Sequence, residues 1–153
     1  MVKFVGKVRH AVDAKGRLMI PSKYRAIIGE QTLYILPGES GNLTVYTEES
    51  FDRLADRIDE KLENAEDLTA EDEADIRSWI ASADYVNLDP QGRILIGQEH
   101  RALAGLGKEA IINGALDHFE VWSPENWEKV QGPETAERQE RTRATMRKLR
   151  IRA

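Results

Sequence analysis

The stretch Asp13-Ala14-Lys15-Gly16-Arg17-Leu18-Met19-Ile20-Pro21-Ser22-Lys23-Tyr24-Arg25 has a second copy 76 positions on. That copy reads Asp89-Pro90-Gln91-Gly92-Arg93-Ile94-Leu95-Ile96-Gly97-Gln98-Glu99-His100-Arg101. The same offset lays Ala26 on Ala102 and Gly29 on Gly105. Farther on it lays Val45-Tyr46-Thr47 on Val121-Trp122-Ser123, Glu49 on Glu125, Phe51 on Trp127 and Leu54 on Val130. Coincidence does not hold one register over so long a span without a gap. The chain is an internal duplication, and the fold question becomes what one unit looks like.

Each copy reads as a turn feeding a strand. Asp at the first position and Gly at the fourth suit a type I turn. The Asp carboxylate is expected to accept hydrogen bonds from amides two and three residues on. Gly16 supplies a positive φ where the chain re-enters a strand. Asp89-Pro90-Gln91-Gly92 specifies the same turn with Pro at the second position. Asp13, Gly16, Asp89 and Gly92 are therefore the turn formers. Arg17 to Ile20 and Arg93 to Ile96 are short apolar strands leaving the turns.

Upstream, residues 4–12 suggest a strand, with imperfect alternation. Downstream, Pro21 opens a short helix from Ser22 to Ile28 that Gly29 ends. Thr32 to Leu36 and Leu43 to Tyr46 are strands around a Gly-rich loop. The second unit repeats these as Glu109 to Ile112, a turn at Asn113-Gly114, and His118 to Trp122. Thr47 can cap a helix from Glu48 to about Asn64, with Phe51, Leu54, Ile58 and Leu62 on one stripe. Thr69-Ala70-Glu71-Asp72 starts another helix, its apolar face made of Ile76, Trp79, Ile80 and Ala83. This helical hairpin joins the two β-rich units. Gly132-Pro133 then breaks the chain, and Glu134 to Arg152 is a polar stretch, helical at best.

The 153 residues suit one domain or two small units sharing a core, and 41% hydrophobic content supports a folded chain. With no cysteine, disulfides and thiolate metal sites are excluded. No apolar run approaches the roughly 18 residues of a membrane helix, so a cytosolic, soluble protein is expected. The net charge of −5 argues against nucleic acid, but the charges are segregated. Residues 1–29 carry +6, residues 48–84 carry −10, and residues 134–153 carry +4. A local basic surface binds polyanions despite an acidic total. The acidic segment reads as a solvated helical face. The tail, with Arg138, Arg141, Arg143, Arg147, Lys148, Arg150 and Arg152, is either a solvated end or an extra DNA arm.

The repeated Asp-x-x-Gly-Arg turn, the apolar strand after it and the downstream Arg resemble the MraZ family of bacterial transcriptional regulators. The resemblance covers residues 1 to about 130. It implies an α+β fold with two SpoVT-AbrB-like (swapped-hairpin) repeats, residues 7–54 and 83–126, forming a barrel-like core. Residues 55–82 are the helical connection, and 127–153 a C-terminal helix and basic tail. It further implies a ring-shaped homo-oligomer that presents its turns to short G-rich direct repeats in promoter DNA of its own division and cell-wall operon. A cytoplasmic, nucleoid-associated protein follows, with double-stranded DNA and itself as partners, no small-molecule substrate and no cofactor.

The DNA-contacting candidates are Lys15, Arg17, Arg93, Arg9 and Lys7. An Arg fork can bond guanine O6 and N7, and Lys offers a mobile charge to phosphate. Equally, Arg17 can pair with Asp13 and brace the turn without touching DNA. The second copy has Gln91 for Lys15, Gly97 for Pro21, and Glu99-His100 for Lys23-Tyr24, which sets its role on DNA apart from the first. Arg25 and Arg101 are expected to form salt bridges within each unit.

Catalysis has little support. His10, His100 and His118 are scattered, and no nucleophile lies in a recognisable frame. Gly105-Leu106-Gly107-Lys108 lacks the upstream Gly of a phosphate loop and is followed by Glu109 instead of Ser or Thr, so it reads as a turn. The competing non-enzymatic reading is an oligomeric adaptor whose basic loops bind an acidic protein.

Overall fold

The structure is a computed structural model that describes residues 3–152. Its elements run β1 (Lys7–Ala11), β2 (Arg17–Met19), α1 (Ser22–Ile28), β3 (Leu33–Pro37), β4 (Leu43–Thr47), α2 (Glu48–Asn64) and α3 (Ala70–Ala81). They continue as β5 (Asp84–Val86), β6 (Arg93–Leu95), α4 (Gln98–Ala104), β7 (Glu109–Gly114), β8 (His118–Trp122), α5 (Pro124–Val130) and α6 (Ala136–Lys148). Each element from β1 to β4 thus recurs at the repeat offset as β5, β6, α4, β7 and β8.

The β-structure is an antiparallel six-stranded sheet, β1-β7-β8-β4-β3-β5, and a two-stranded ribbon, β2-β6. Exchanging the repeats reverses the sheet order onto itself, so a pseudo-twofold passes between β4 and β8. Thr44 faces its own counterpart Glu120 there, and Leu18 faces its counterpart Ile94 in the ribbon. Each repeat lends its first strand to the other: β1 pairs with β7, and β5 with β3. The two loans differ by one residue. His10 faces Ala110, whereas its counterpart Val86 faces Leu33 and not Tyr34.

The core lies between ribbon and sheet. Leu18 and Ile94 from the ribbon, with Ile20 and Ile96 just after its strands, meet Leu33, Ile35, Leu43, Val45, Ile112, Phe119 and Val121 from the sheet, all buried. Tyr24 on α1 packs edge-on to Phe4 at 5.0 Å and lies 5.4 Å from Phe119, with its hydroxyl donating to the Val5 carbonyl at 2.8 Å. Core burial of this kind, at roughly 25 cal/mol per Å², is the main force holding the two repeats together.

The sequence signals place most elements. Thr47 caps α2 by accepting from the Ser50 amide. Thr69 and Asp72 form a reciprocal capping box at α3. Four expectations are corrected. The sheet and ribbon do not close into a barrel among the described residues. The regular strand in residues 4–12 is shorter, with only isolated bridges at Phe4 and Val12. Asn113 and Gly114 end β7 instead of forming the turn, which falls at Ala115-Leu116-Asp117 with Leu116 at φ 74°. Gly114 is needed because the N-terminal segment crosses it: a Cβ there would meet Phe4 C and Val5 N at 2.5 Å. Finally, α3 buries no residue, and Ile80 on its apolar face stays 48% exposed. Trp79 anchors the helix by donating its indole N–H to the Pro37 carbonyl at 3.0 Å. Helix α5, capped by Ser123, has no sequence expectation behind it.

Candidate nucleic-acid interface

The two repeated turns have the same internal wiring. In the first, Gly16 N–H donates to the Asp13 carbonyl at 3.0 Å, and Asp13 N–H to the Arg17 carbonyl at 3.0 Å. Asp13 Oδ1 accepts from the amides of Lys15 at 3.0 Å and Arg17 at 2.9 Å, and Oδ2 accepts from Arg17 Nε at 2.6 Å. The carboxylate therefore reaches amides two and four residues on, not two and three. In the second turn, Asp89 accepts from the amides of Gln91 and Arg93, each at 2.9 Å, and from Arg93 Nε at 2.9 Å. These donors stabilise the charged form. The Arg17 amide foremost, with its guanidinium and the Lys15 amide, holds the Asp13 carboxyl down to about 2. Asp89 is lowered in the same way, the Arg93 amide first.

Asp13 and Asp89 thus form the turns as the sequence indicated, and Gly16 and Gly92 have φ of 88° and 81°. Each glycine also sits under an arginine of the other repeat. A Cβ on Gly16 would lie 2.7 Å from Arg101 Nε, and one on Gly92 would lie 2.6 Å from Arg25 Cδ. The turns are stitched crosswise as well: Ile20 N–H donates to Gly92 O at 3.0 Å, and Ile96 N–H to Gly16 O at 2.9 Å. The two turns are consequently held beside one another on the ribbon. Neither Arg25 nor Arg101 makes the expected salt bridge among the described residues. Arg101 Nε instead donates to Ile96 O at 3.0 Å. Their shared place eight residues after each Arg-turn was the signal for this bracing role.

Leu18 and Ile94 point into the core, so alternation sends Arg17, Met19, Arg93 and Leu95 to the outer face of the ribbon. Lys15 is exposed on the turn next to Arg17. The two arginines differ. Arg17 uses Nε on Asp13, and its terminal nitrogens have no hydrogen-bond partner among the described residues. Arg93 places Nε on Asp89, Nη2 3.4 Å from Gln91 Oε1, and Nη1 3.8 Å from Asp13 Oδ2 across the repeat boundary. The other candidates lie apart, on the edge strand β1. Lys7 Nζ sits 5.2 Å over the Trp127 ring, and Arg9 pairs with Glu109 at 3.3 Å. The site is thus a basic rim: Lys15 and Arg17 foremost, Arg93 beside them, Lys7 and Arg9 outside it.

Elsewhere, no group of three His, Cys, Asp or Glu side chains among the described residues could hold a metal ion. His100 is buried with Nε2 2.7 Å from the Ser82 carbonyl, and His118 stacks on Tyr46 beside Asp117. No described helix is long and apolar enough to cross a membrane.

The chain matches the family model described as "MraZ protein, putative antitoxin-like" twice, over residues 4–73 and 79–149. Three curated relatives carry the name "Transcriptional regulator MraZ". The Thermomicrobium roseum protein is 38% identical over 88% of this chain and 96% of its own length. That of Acetivibrio thermocellus is 38% identical over 86% of this chain and 88% of its own. That of Lactiplantibacillus plantarum is 37% identical over 84% and 87%. The two family matches divide within α3, in step with the internal repeat, and the chain belongs to the MraZ family.

Proposed function

We propose that the chain is a sequence-specific DNA-binding transcriptional regulator that meets DNA with its Asp-x-x-Gly-Arg turns. The observation that carries this is the rim of the ribbon: two identically wired turns, locked side by side, with Lys15 and the free end of Arg17 facing outward. A braced Arg is a better reader than a mobile one. The Asp13 contact fixes Nε and leaves the terminal fork for guanine O6 and N7 at little further entropy cost. Lys15 supplies a phosphate contact that sets register. The relatives' printed name, transcriptional regulator, supports the same reading.

So small a basic surface on an acidic protein binds weakly by itself, because each phosphate contact adds little and salt competes. Several copies held in a ring and set on short direct repeats would gain through effective concentration. The finer reading is therefore a ring-forming regulator of its own division and cell-wall operon, acting on promoter direct repeats in the cytoplasm at the nucleoid. Lys7 and Arg9 would serve flanking phosphates, and Arg93 the turn more than the base edges.

Fluorescence anisotropy with the gene's own upstream DNA, against random DNA of equal length, tests this. Arg17→Ala is expected to weaken specific binding by about 1–3 kcal/mol, and Lys15→Ala to lower the salt slope by about one without changing sequence preference. Unchanged binding by Arg17→Ala sinks the role given to that residue. Upstream DNA held no tighter than random DNA at physiological salt favours the adaptor with an acidic partner instead.

A further inference from the structure

A cleft of about 270 Å³ opens between α1 and the start of α2. Helix α1 gives it Ala26 and Ile27; Thr47, Ser50 and Arg53 come from the cap and first turns of α2. The repeat offset carries all five onto the lining of a second hollow, where Ala102, Leu103, Ser123, Asn126 and Lys129 stand. The fold therefore builds the same cleft twice, and the two copies have diverged.

Three differences separate them. In the second, Asn126 spans the gap and donates Nδ2 to the carbonyls of Ser40 at 2.8 Å and Gly41 at 3.3 Å. In the first, Ser50 holds that position, and its short side chain turns back to donate to the Thr47 carbonyl at 3.2 Å. Leu116 and Asp117, the counterparts of Ser40 and Gly41, are left facing an open space. The chain start then adds a wall. Phe4 and Leu116 exchange backbone hydrogen bonds at 2.8 and 2.9 Å, which lays Lys3 and Phe4 along the cleft. Their counterparts at the offset, Trp79 and Ile80, belong to α3 and do not line the second hollow. Finally, Lys23 lines the first cleft, and its counterpart is Glu99.

The first cleft thus gathers three cations, Lys3, Lys23 and Arg53, against two acids. Both acids are engaged, Glu49 with Arg53 at 3.6 Å and Asp117 with the His118 ring at 2.8 Å. Lys3 and Lys23 make no ion pair among the described residues, so the rim keeps an excess of positive charge. Below it lie buried Phe4 and half-buried Ile27. An apolar floor under a few convergent charged groups is how small-molecule sites are built.

We propose that the first-repeat cleft binds a small organic monoanion, a carboxylate on a compact apolar body. Lys3 and Lys23 hold the carboxylate through charge-assisted hydrogen bonds, and Phe4, Ile27 and Leu116 take the body. The second repeat lacks the site because Asn126 spans the gap there. The site does not depend on the DNA-binding reading.

Saturation-transfer NMR on the full-length protein, with sodium phenylacetate as the probe, tests this. Transfer to the phenyl protons is expected, and phenylacetamide, the same body without the charge, should bind about tenfold more weakly. Two variants locate the probe. Ser50→Asn copies the second repeat and should abolish transfer. Lys3→Gln combined with Lys23→Gln changes only exposed side chains, so the melting profile should hold. That variant should weaken phenylacetate about tenfold and leave phenylacetamide as before. Absence of transfer in the wild type, equal binding of the amide, or transfer unchanged in both variants overturns the proposal. Displacement of phenylacetate by inorganic phosphate at equal concentration would reveal a bare anion site and overturns it too.

Discussion

Asp13 receives three donors on two oxygens while remaining at the surface, and this fixes its behaviour with pH. Its folded carboxyl sits at about 2, below the ordinary 3.8 of the unfolded chain. A depressed carboxyl stabilises the fold fully above the unfolded value and loses that contribution as pH falls through the folded one. Melting temperature should therefore drop between about pH 4 and pH 2, and Asp13→Asn should flatten the drop while lowering stability at pH 7. An acid limb as steep in Asp13→Asn as in the wild type would show that other carboxylates carry it. The glycines give a second residue-scale prediction. Gly105 is left-handed with open space around it, so Gly105→Ala should cost about 1 kcal/mol. Gly16→Ala adds a Cβ 2.7 Å from Ile96 O and Arg101 Nε and should cost more than about 2 kcal/mol. Urea titration of the two variants compares them directly. Asp13 and Gly16 were legible because a turn is decided by local chemistry. The placement of Arg25 over Gly92 was not, because it joins residues of different repeats.

At the scale of elements, caps and breakers were the reliable signals. Thr47, Thr69 with Asp72, and Gly29 each bound a helix where the sequence put the boundary. Thr69→Ala should remove about 1 kcal/mol, read by thermal melting, with faster amide exchange in α3 than in β3. Apolar periodicity served less well. Ile76 and Ile80 repeat at helical spacing, yet Ile76 is only half-buried and Ile80 stays exposed. Spacing says which side of a helix is apolar, not whether a partner is present. Helix α5 is faint in the sequence for a related reason: seven residues carry too little periodicity, and only the capping Ser123-Pro124 marks its start. The displaced turn at Gly114 likewise depended on a crossing by Phe4 and Val5 that no local window contains.

At the scale of the whole molecule, the repeat was plain in the sequence, but the exchange of strands was not, since pairing partners about fifty and about a hundred residues apart leave no local mark. Because β1 completes the second repeat and β5 the first, neither half should fold alone. Fragments 1–67 and 68–153, produced separately, should each lack cooperative melting and regain it on mixing. Independent folding of either fragment would contradict the exchanged topology.

The pseudo-twofold is broken where it matters most. Lys15 has Gln91 as its counterpart, Arg93 leans on Asp13 with no reciprocal contact from Arg17 to Asp89 among the described residues, and the two lent strands are out of step by one residue. A true dyad would present the same chemistry read in either direction, as a palindrome requires. This chain has polarity: one turn leads and the other trails. On the proposed DNA-binding reading, a protomer with a front and a back would gain most on sites that all point the same way along the duplex.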